Sequence, residues 1–125
     1  MLAKRKILSV KINPDASDTF IDFGVKTPGK LAAPQVKESL LQSGCWPMIK
    51  QRPYDVIANP SDSPKSIFIS AYATAPLAAS HHVTLQGREK AFQAGIDALS
   101  KLTEGKVHLS VGASDSFLDE IKGVV

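Results

Sequence analysis

The side chains that could carry chemistry are few in this 125-residue chain: three histidines, two of them the adjacent pair His81-His82, and one cysteine, Cys45. Paired imidazoles suggest a metal, but neighbours on an extended loop point apart, and no acidic or cysteine partner lies close in sequence. Solvent-exposed loop histidines are the expectation. A lone Cys45 permits neither an internal disulfide nor a cysteine-based metal or iron–sulfur site, and it reads as a small buried thiol. Hydrolysis by a serine nucleophile lacks its Gly-x-Ser-x-Gly elbow. A dinucleotide site needs Gly-x-Gly-x-x-Gly between a strand and its helix, so that backbone amides can approach a pyrophosphate. Here Tyr72 is followed by Ala-Thr-Ala-Pro-Leu-Ala-Ala, and no Walker A run occurs. Glu38, Asp97, Glu104 and Asp119 read as exposed helix charges. No catalytic constellation emerges.

The elements that would position any site centre on Lys65 to Val111. Ile67, Phe68 and Ile69 form an unbroken apolar run, as expected of a strand covered on both faces. An irregular link from Ala73 to Val83 follows, and Thr84 offers an N-cap hydroxyl for a helix predicted over Leu85 to Thr103. Phe92, Ile96, Leu99 and Leu102 fall at helical spacing, with Ala91, Gly95 and Ala98 beside them to let the helix lie close to a sheet. Gly105 reads as the left-handed residue that ends it. Lys106 to Val111 then alternates, with Val107, Leu109 and Val111 on one face and His108 and Ser110 on the other. Strand, helix, strand is the unit of a parallel crossover. The fold class is therefore α/β, with a Rossmann-like parallel βαβ core.

Upstream, Lys6 to Ile12 reads as a strand closed by Asn13-Pro14-Asp15, and Phe20 to Phe23 as a second short strand closed by Gly24. Thr27-Pro28-Gly29-Lys30 reads as a linker. Pro34 suits the first residue of a helix that buries Val36, Leu40 and Leu41 and ends at Ser43-Gly44. Trp46 to Lys50 predicts a short helical turn burying Trp46, and Asn59 to Pro64 a turn-rich loop. Near the end, Ser114 or Ser116 would cap a helix holding Phe117, Leu118 and Ile121. An abrupt opening on a strand and a close at Gly123-Val124-Val125 set the expectation of a piece cut from a longer protein.

A hydrophobic content of 43% is ordinary for a globular domain, and a net charge of +3 is mild. The early cations Lys4, Arg5, Lys6 and Lys11 have no aromatic residues interleaved to stack bases, so a solvated strand face is expected and nucleic-acid binding is not. No apolar run approaches the ~18 residues of a membrane span. The opening Met1-Leu2-Ala3-Lys4 lacks a signal-peptide pattern, giving the expectation of a cytosolic or cytosol-facing chain.

Several stretches together resemble the A subunit of the bacterial sodium-translocating NADH:quinone oxidoreductase. They are Leu40-Leu41-Gln42-Ser43-Gly44-Cys45-Trp46, Gln51-Arg52-Pro53-Tyr54, Ala71-Tyr72-Ala73-Thr74-Ala75-Pro76-Leu77-Ala78-Ala79 and the run Ala91 to Val107. The likeness is diffuse before about Pro34 and strong from there to about Val111. A related family, the ferredoxin:NAD oxidoreductases, carries cysteine clusters in its corresponding subunit. The single Cys45 fits the sodium-translocating family instead.

The resemblance implies a peripheral subunit on the cytoplasmic face of the bacterial inner membrane, with the other subunits of the complex as partners. It implies two pieces: residues 1–30 as the tail of a preceding β-rich domain plus linker, and 31–125 as a Rossmann-like domain akin to the flavin-binding subunit of respiratory complex I. In that relative a glycine-rich loop after a helix holds FMN. Ser43 to Pro53 stands in its place here, with Gly44 its only glycine and Trp46 filling space, which argues against a flavin. The chain is expected to hold no cofactor; flavins, NADH and quinone belong to the whole complex. Two roles follow: an assembly and docking scaffold, or a quinone-binding domain. For the second, Trp46, Arg52 and Tyr54 are the candidates to supply stacking and hydrogen-bond donors in an apolar slot, although Trp46 and Tyr54 also suit core anchors.

Overall fold

The computed structural model describes residues 2–3, 6–14, 16–17, 19–112 and 120–125, with the side chains of residues 2 and 3 left aside. The chain is mixed α/β, with three two-stranded sheets among the described residues. Strands β1 (Leu2–Ala3) and β2 (Lys6–Ile7) form a short antiparallel ladder, Leu2 opposite Ile7 and Ala3 opposite Lys6. The predicted strand Lys6 to Ile12 therefore shrinks to two residues. Beyond Ile7 no neighbouring backbone pairs with it among the described residues, and Leu8, Val10 and Ile12 stay exposed. Phe20 to Phe23 likewise forms no strand, and all of its apolar side chains are exposed. Alternation without a facing core leaves a strand pattern unused.

The Pro28–Lys30 stretch is a 3₁₀ turn that packs against the helix α3 (Glu89–Ser100) described below. Helix α1 (Ala33–Gln42) holds Pro34 in its first turn, and Gln35 Oε1 accepts a hydrogen bond from the Ala32 N–H at 3.0 Å. It ends as expected: Gly44 is left-handed at φ +74°, and the N–H groups of Gly44 and Cys45 return to the carbonyls of Leu41 and Leu40. Val36 is buried and Leu40 half-buried. Leu41 is exposed, contrary to its predicted place on the buried side.

Strand β5 (Ile67–Ala71) and strand β6 (Val107–Val111) run parallel, with Ile67 opposite Val107 and Ala71 opposite Val111. Between them come α2 (His81–Leu85) and α3. The single helix predicted over Leu85 to Thr103 is thus two. Gly87, at φ +75°, turns the chain between them. Thr84 is inside α2, where its hydroxyl donates back to the Ser80 and His81 carbonyls. Ser80 occupies the N-cap position instead.

Gly105 does not adopt the left-handed conformation expected of it. It is glycine because a Cβ would overlap the Lys65 carbonyl oxygen, where the two strands start side by side. Gly95, in contrast, is exposed with open space around it, so no close helix approach depends on it. Strand β5 is covered on one face only: Ala71 is buried and Ile67 and Ile69 half-buried, whereas Phe68 is 73% exposed. Val124 extends the sheet past β6 through one parallel bridge to Val107, supported by Leu109 N–H to Val125 O at 3.1 Å and Val125 N–H to Val107 O at 3.0 Å. The predicted closing helix falls largely outside the described residues; Ile121, its one described apolar member, is half-buried and not helical. Val36, Trp46, Ala71, Ile96 and Val107 form the buried core.

Candidate functional site

After the α1 cap, Trp46–Met48 makes one 3₁₀ turn, with Pro47 fixing its first residues. The chain then folds into a hairpin of β3 (Lys50–Gln51) and β4 (Val56–Ile57), Lys50 opposite Ile57 and Gln51 opposite Val56. The turn between them carries a cis Arg52–Pro53 peptide and Asp55 at φ +52°. Both ends of the hairpin are tied to Trp46. The Ile49 N–H donates to the Trp46 carbonyl at 2.9 Å, the Ala58 N–H to the Ile49 carbonyl at 2.9 Å, and the indole Nε1–H to the Ala58 carbonyl at 2.7 Å.

Trp46 is therefore a core anchor, 6% exposed with its only side-chain donor engaged. Arg52 and Tyr54 sit in the hairpin turn, both exposed, Tyr54 at 80%. Tyr54 is no core anchor. The structure thus separates the three candidates, with Trp46 beneath the hairpin and Arg52 and Tyr54 at its tip. Met48, Val56 and Ile57 are also exposed; by the ladder register Ile57 shares one face of the hairpin with Lys50, and Val56 shares the opposite face with Gln51. Cys45, expected to be buried, is exposed at the foot of the turn.

Two open surface grooves lie elsewhere. One, of about 480 Å³, runs between the strand entrances and is lined by Ser63, Lys65, Ser66, Glu104, Lys106 and His108 among others. A second, of about 320 Å³, lies along α1 beside Lys37, Glu38 and Leu41. His81 and His82 occupy the first turn of α2, where successive residues project about 100° apart. Among the described residues no group of three His, Cys, Asp or Glu side chains could hold a metal ion. Among them, too, no helix is long and apolar enough to cross a membrane. Glu38 is exposed as predicted; Asp97 is half-buried and accepts from Gln93 Nε2 at 2.8 Å.

Three contacts have no usable sequence signal. The Gln93 side chain pairs reciprocally with the Lys122 backbone, donating to its carbonyl at 3.0 Å and accepting from its N–H at 2.8 Å. Thr103 Oγ1 donates to the Pro64 carbonyl at 2.7 Å and accepts from the Gly105 N–H at 3.0 Å. Phe68 and His108, directly opposite in the ladder, stack with centroids 4.7 Å apart and 11° between planes. Among the described residues one carboxyl is perturbed: hydrogen bonds from its own backbone N–H and from that of Gly87 (2.8 Å) hold Glu89 below the usual carboxylate range.

Residues 31–124 match the family model described as the NqrA second alpha/beta domain. The chain is also similar to the A subunit of the Na(+)-translocating NADH-quinone reductase of Photorhabdus laumondii, 44% identical over 100 residues, which covers 80% of this chain and 22% of that protein. The same-named protein of a Marinomonas species is 36% identical over 124 residues, 94% of this chain and 28% of the other. That of Pasteurella multocida is 36% identical over 116 residues, 91% of this chain and 26% of the other. The chain thus spans roughly a quarter of the length of these curated relatives.

Proposed function

The chain belongs to the family of the NqrA second alpha/beta domain, and from that premise we propose that it serves as an assembly and docking scaffold of a sodium-pumping NADH:quinone oxidoreductase. In this reading it is part of the peripheral NqrA subunit on the cytoplasmic face of the bacterial inner membrane, and its partners are other subunits of that complex. Residues 1–30 trail from a preceding β-rich domain, and 31–125 form a Rossmann-like domain. Supporting that division are the family match beginning at residue 31 and the exposed apolar side chains of residues 7–25. Supporting the Rossmann-like topology are the parallel β5–β6 pair, the helices in its crossover, and the parallel bridge from Val107 to Val124. The flavins, NADH and quinone act elsewhere in the complex.

The observation that carries the docking role is the β3–β4 hairpin. Where a flavin loop would open onto a ligand, Trp46 fills the space and is hydrogen-bonded to the hairpin's exit, while Met48, Tyr54, Val56 and Ile57 are exposed. Apolar and aromatic side chains left exposed on a braced hairpin, with Arg52 at its tip, are residue types that supply anchors in protein interfaces. A second reading, quinone binding, rests on Arg52 and Tyr54, which are exposed at the hairpin tip and able to donate and stack.

Binding of this chain to detergent-solubilised Na(+)-translocating NADH-quinone reductase lacking its NqrA subunit tests the proposal. Association that weakens with Tyr54→Ala plus Val56→Asp, the fold remaining intact by circular dichroism, is the expected result. No association, together with saturable amide shifts at residues 52–54 on adding a water-soluble quinone, would replace the scaffold with the quinone site.

A further inference from the structure

We propose that the open face of the β5–β6 pair, with the groove at its entrance, binds a small planar ring carrying an anionic group, of the chemical class of a nucleoside monophosphate. Strand alternation divides the pair cleanly. Ile67, Ile69 and Ala71 with Val107, Leu109 and Val111 share one face, and Phe68 and Ser70 with His108 and Ser110 share the other. Parallel sheets are ordinarily apolar on both faces, because helices cover both. This second face is instead two serines, a histidine and one aromatic ring. Such a surface is suited to water and to a polar ligand, not to burial under a helix.

The one aromatic residue is placed to receive a ring. Phe68 stacks on His108 with planes 11° apart, yet it is 73% exposed. Its position is fixed by the ladder register and its partner imidazole, which presents a pre-formed stacking platform. His108 also lines the groove, which places the groove beside the Phe68–His108 stack. The groove adds two cations, Lys65 and Lys106, and the Ser63 hydroxyl, against the one acidic residue Glu104. The Ser66 hydroxyl is not among the donors, because it already donates to the Lys65 carbonyl at 2.8 Å. Thr103, bonded to both Pro64 and Gly105, and the Gly105–Lys65 approach hold the two groove walls together. A volume of about 480 Å³ lies within the roughly 300–1,000 Å³ of small-molecule clefts. Ring on Phe68 and anion between the lysines is the arrangement this face accommodates.

The site lies apart from the β3–β4 hairpin, so it and the scaffold role can fail independently. The test is a backbone amide NMR titration of the 125-residue chain with AMP, with adenosine and inorganic phosphate as separate probes. Saturable shifts confined to residues 65–70 and 104–110 are expected with AMP, and weaker binding with either half-ligand. Phe68→Leu keeps apolar bulk on an exposed strand position while removing the stack, and should weaken AMP by about tenfold. Lys106→Gln should weaken it and flatten its salt dependence. A spectrum unchanged by millimolar AMP would overturn the proposal. So would equal shifts with phosphate alone that Phe68→Leu leaves intact, since no ring would then be bound.

Discussion

Replacing Trp46 by alanine should remove the anchor on which the hairpin stands. The ring is 6% exposed, and truncating a buried Trp or Phe to Ala typically costs ~3–5 kcal/mol in lost transfer energy and cavity. The indole N–H to Ala58 bond at 2.7 Å adds about 1 kcal/mol, moderated because Ala58 is only half-buried and water can reach its carbonyl. Against the ~5–15 kcal/mol of a typical domain, the total is a large fraction, and the alanine variant is expected to sit close to unfolding. Trp46→Phe is therefore the more readable companion. It retains most of the apolar area but no donor, and should lose ~1–2 kcal/mol. Urea unfolding followed by far-ultraviolet circular dichroism reads all three proteins, because the substitutions remove the chain's only tryptophan and with it the fluorescence probe. The midpoint should fall in the order wild type, Phe, Ala with the slope unchanged. A loss below about 1 kcal/mol for Trp46→Ala would refute the anchor argument.

Three further substitutions probe the remaining joints. Gly105→Ala puts a methyl group into the Lys65 carbonyl, with Lys65 C and Ser66 Oγ at 3.1 and 3.3 Å; a loss of about 1–3 kcal/mol is expected from such overpacking, read as a lowered thermal midpoint. Gln93→Leu severs both bonds to the Lys122 backbone, so hydrogen exchange at the Val125 amide, which bonds to Val107, should accelerate well above that of the β6 amides. Glu89 has a folded-state pKa below its ordinary 4.5, so the ionised form favours the folded chain. Its contribution is present in full above about pH 4.5 and is lost as the pH falls through the lowered value. Glu89→Gln should remove that part of the acid dependence of α3, seen as a flatter helical circular dichroism profile as the pH falls below about 4.5.

What can be read from the sequence is local. The Ser43-Gly44 stop, the buried Trp46 turn, the Asn59–Pro64 loop and the strands flanking α3 rest on residue preferences that act within a few positions, and the structure contains each of them. The differences concern partners distant in sequence. Lys6 to Ile12 has a strand's alternation, but whether it pairs depends on a neighbour the pattern does not reveal. Gly105 differs from its expected role because helix-end glycines usually supply a left-handed turn, whereas this one yields room to the carbonyl of Lys65, far upstream. Gln93, three positions before the buried Ile96, looks like any polar helix residue until Lys122 is placed against it. Of the candidate site, the burial of Trp46 is legible in its type and setting, but nothing in the sequence shows that Tyr54 is exposed while Trp46 is buried. The hairpin that separates them has two-residue strands, too short for any periodicity to register.

That separation bears directly on function. A docking surface is effective when its apolar residues are held out in water without collapsing onto the core, which requires the supporting backbone to be braced from beneath. In residues 44–58 the brace and the surface are one segment. Gly44 ends α1, Pro47 tightens the 3₁₀ turn, and the indole bond to Ala58 closes the loop at its far end. With the base closed, Met48, Tyr54, Val56 and Ile57 remain exposed around it. On the proposed docking reading, the tryptophan that braces the loop thereby also holds the exposed side chains of the hairpin in place.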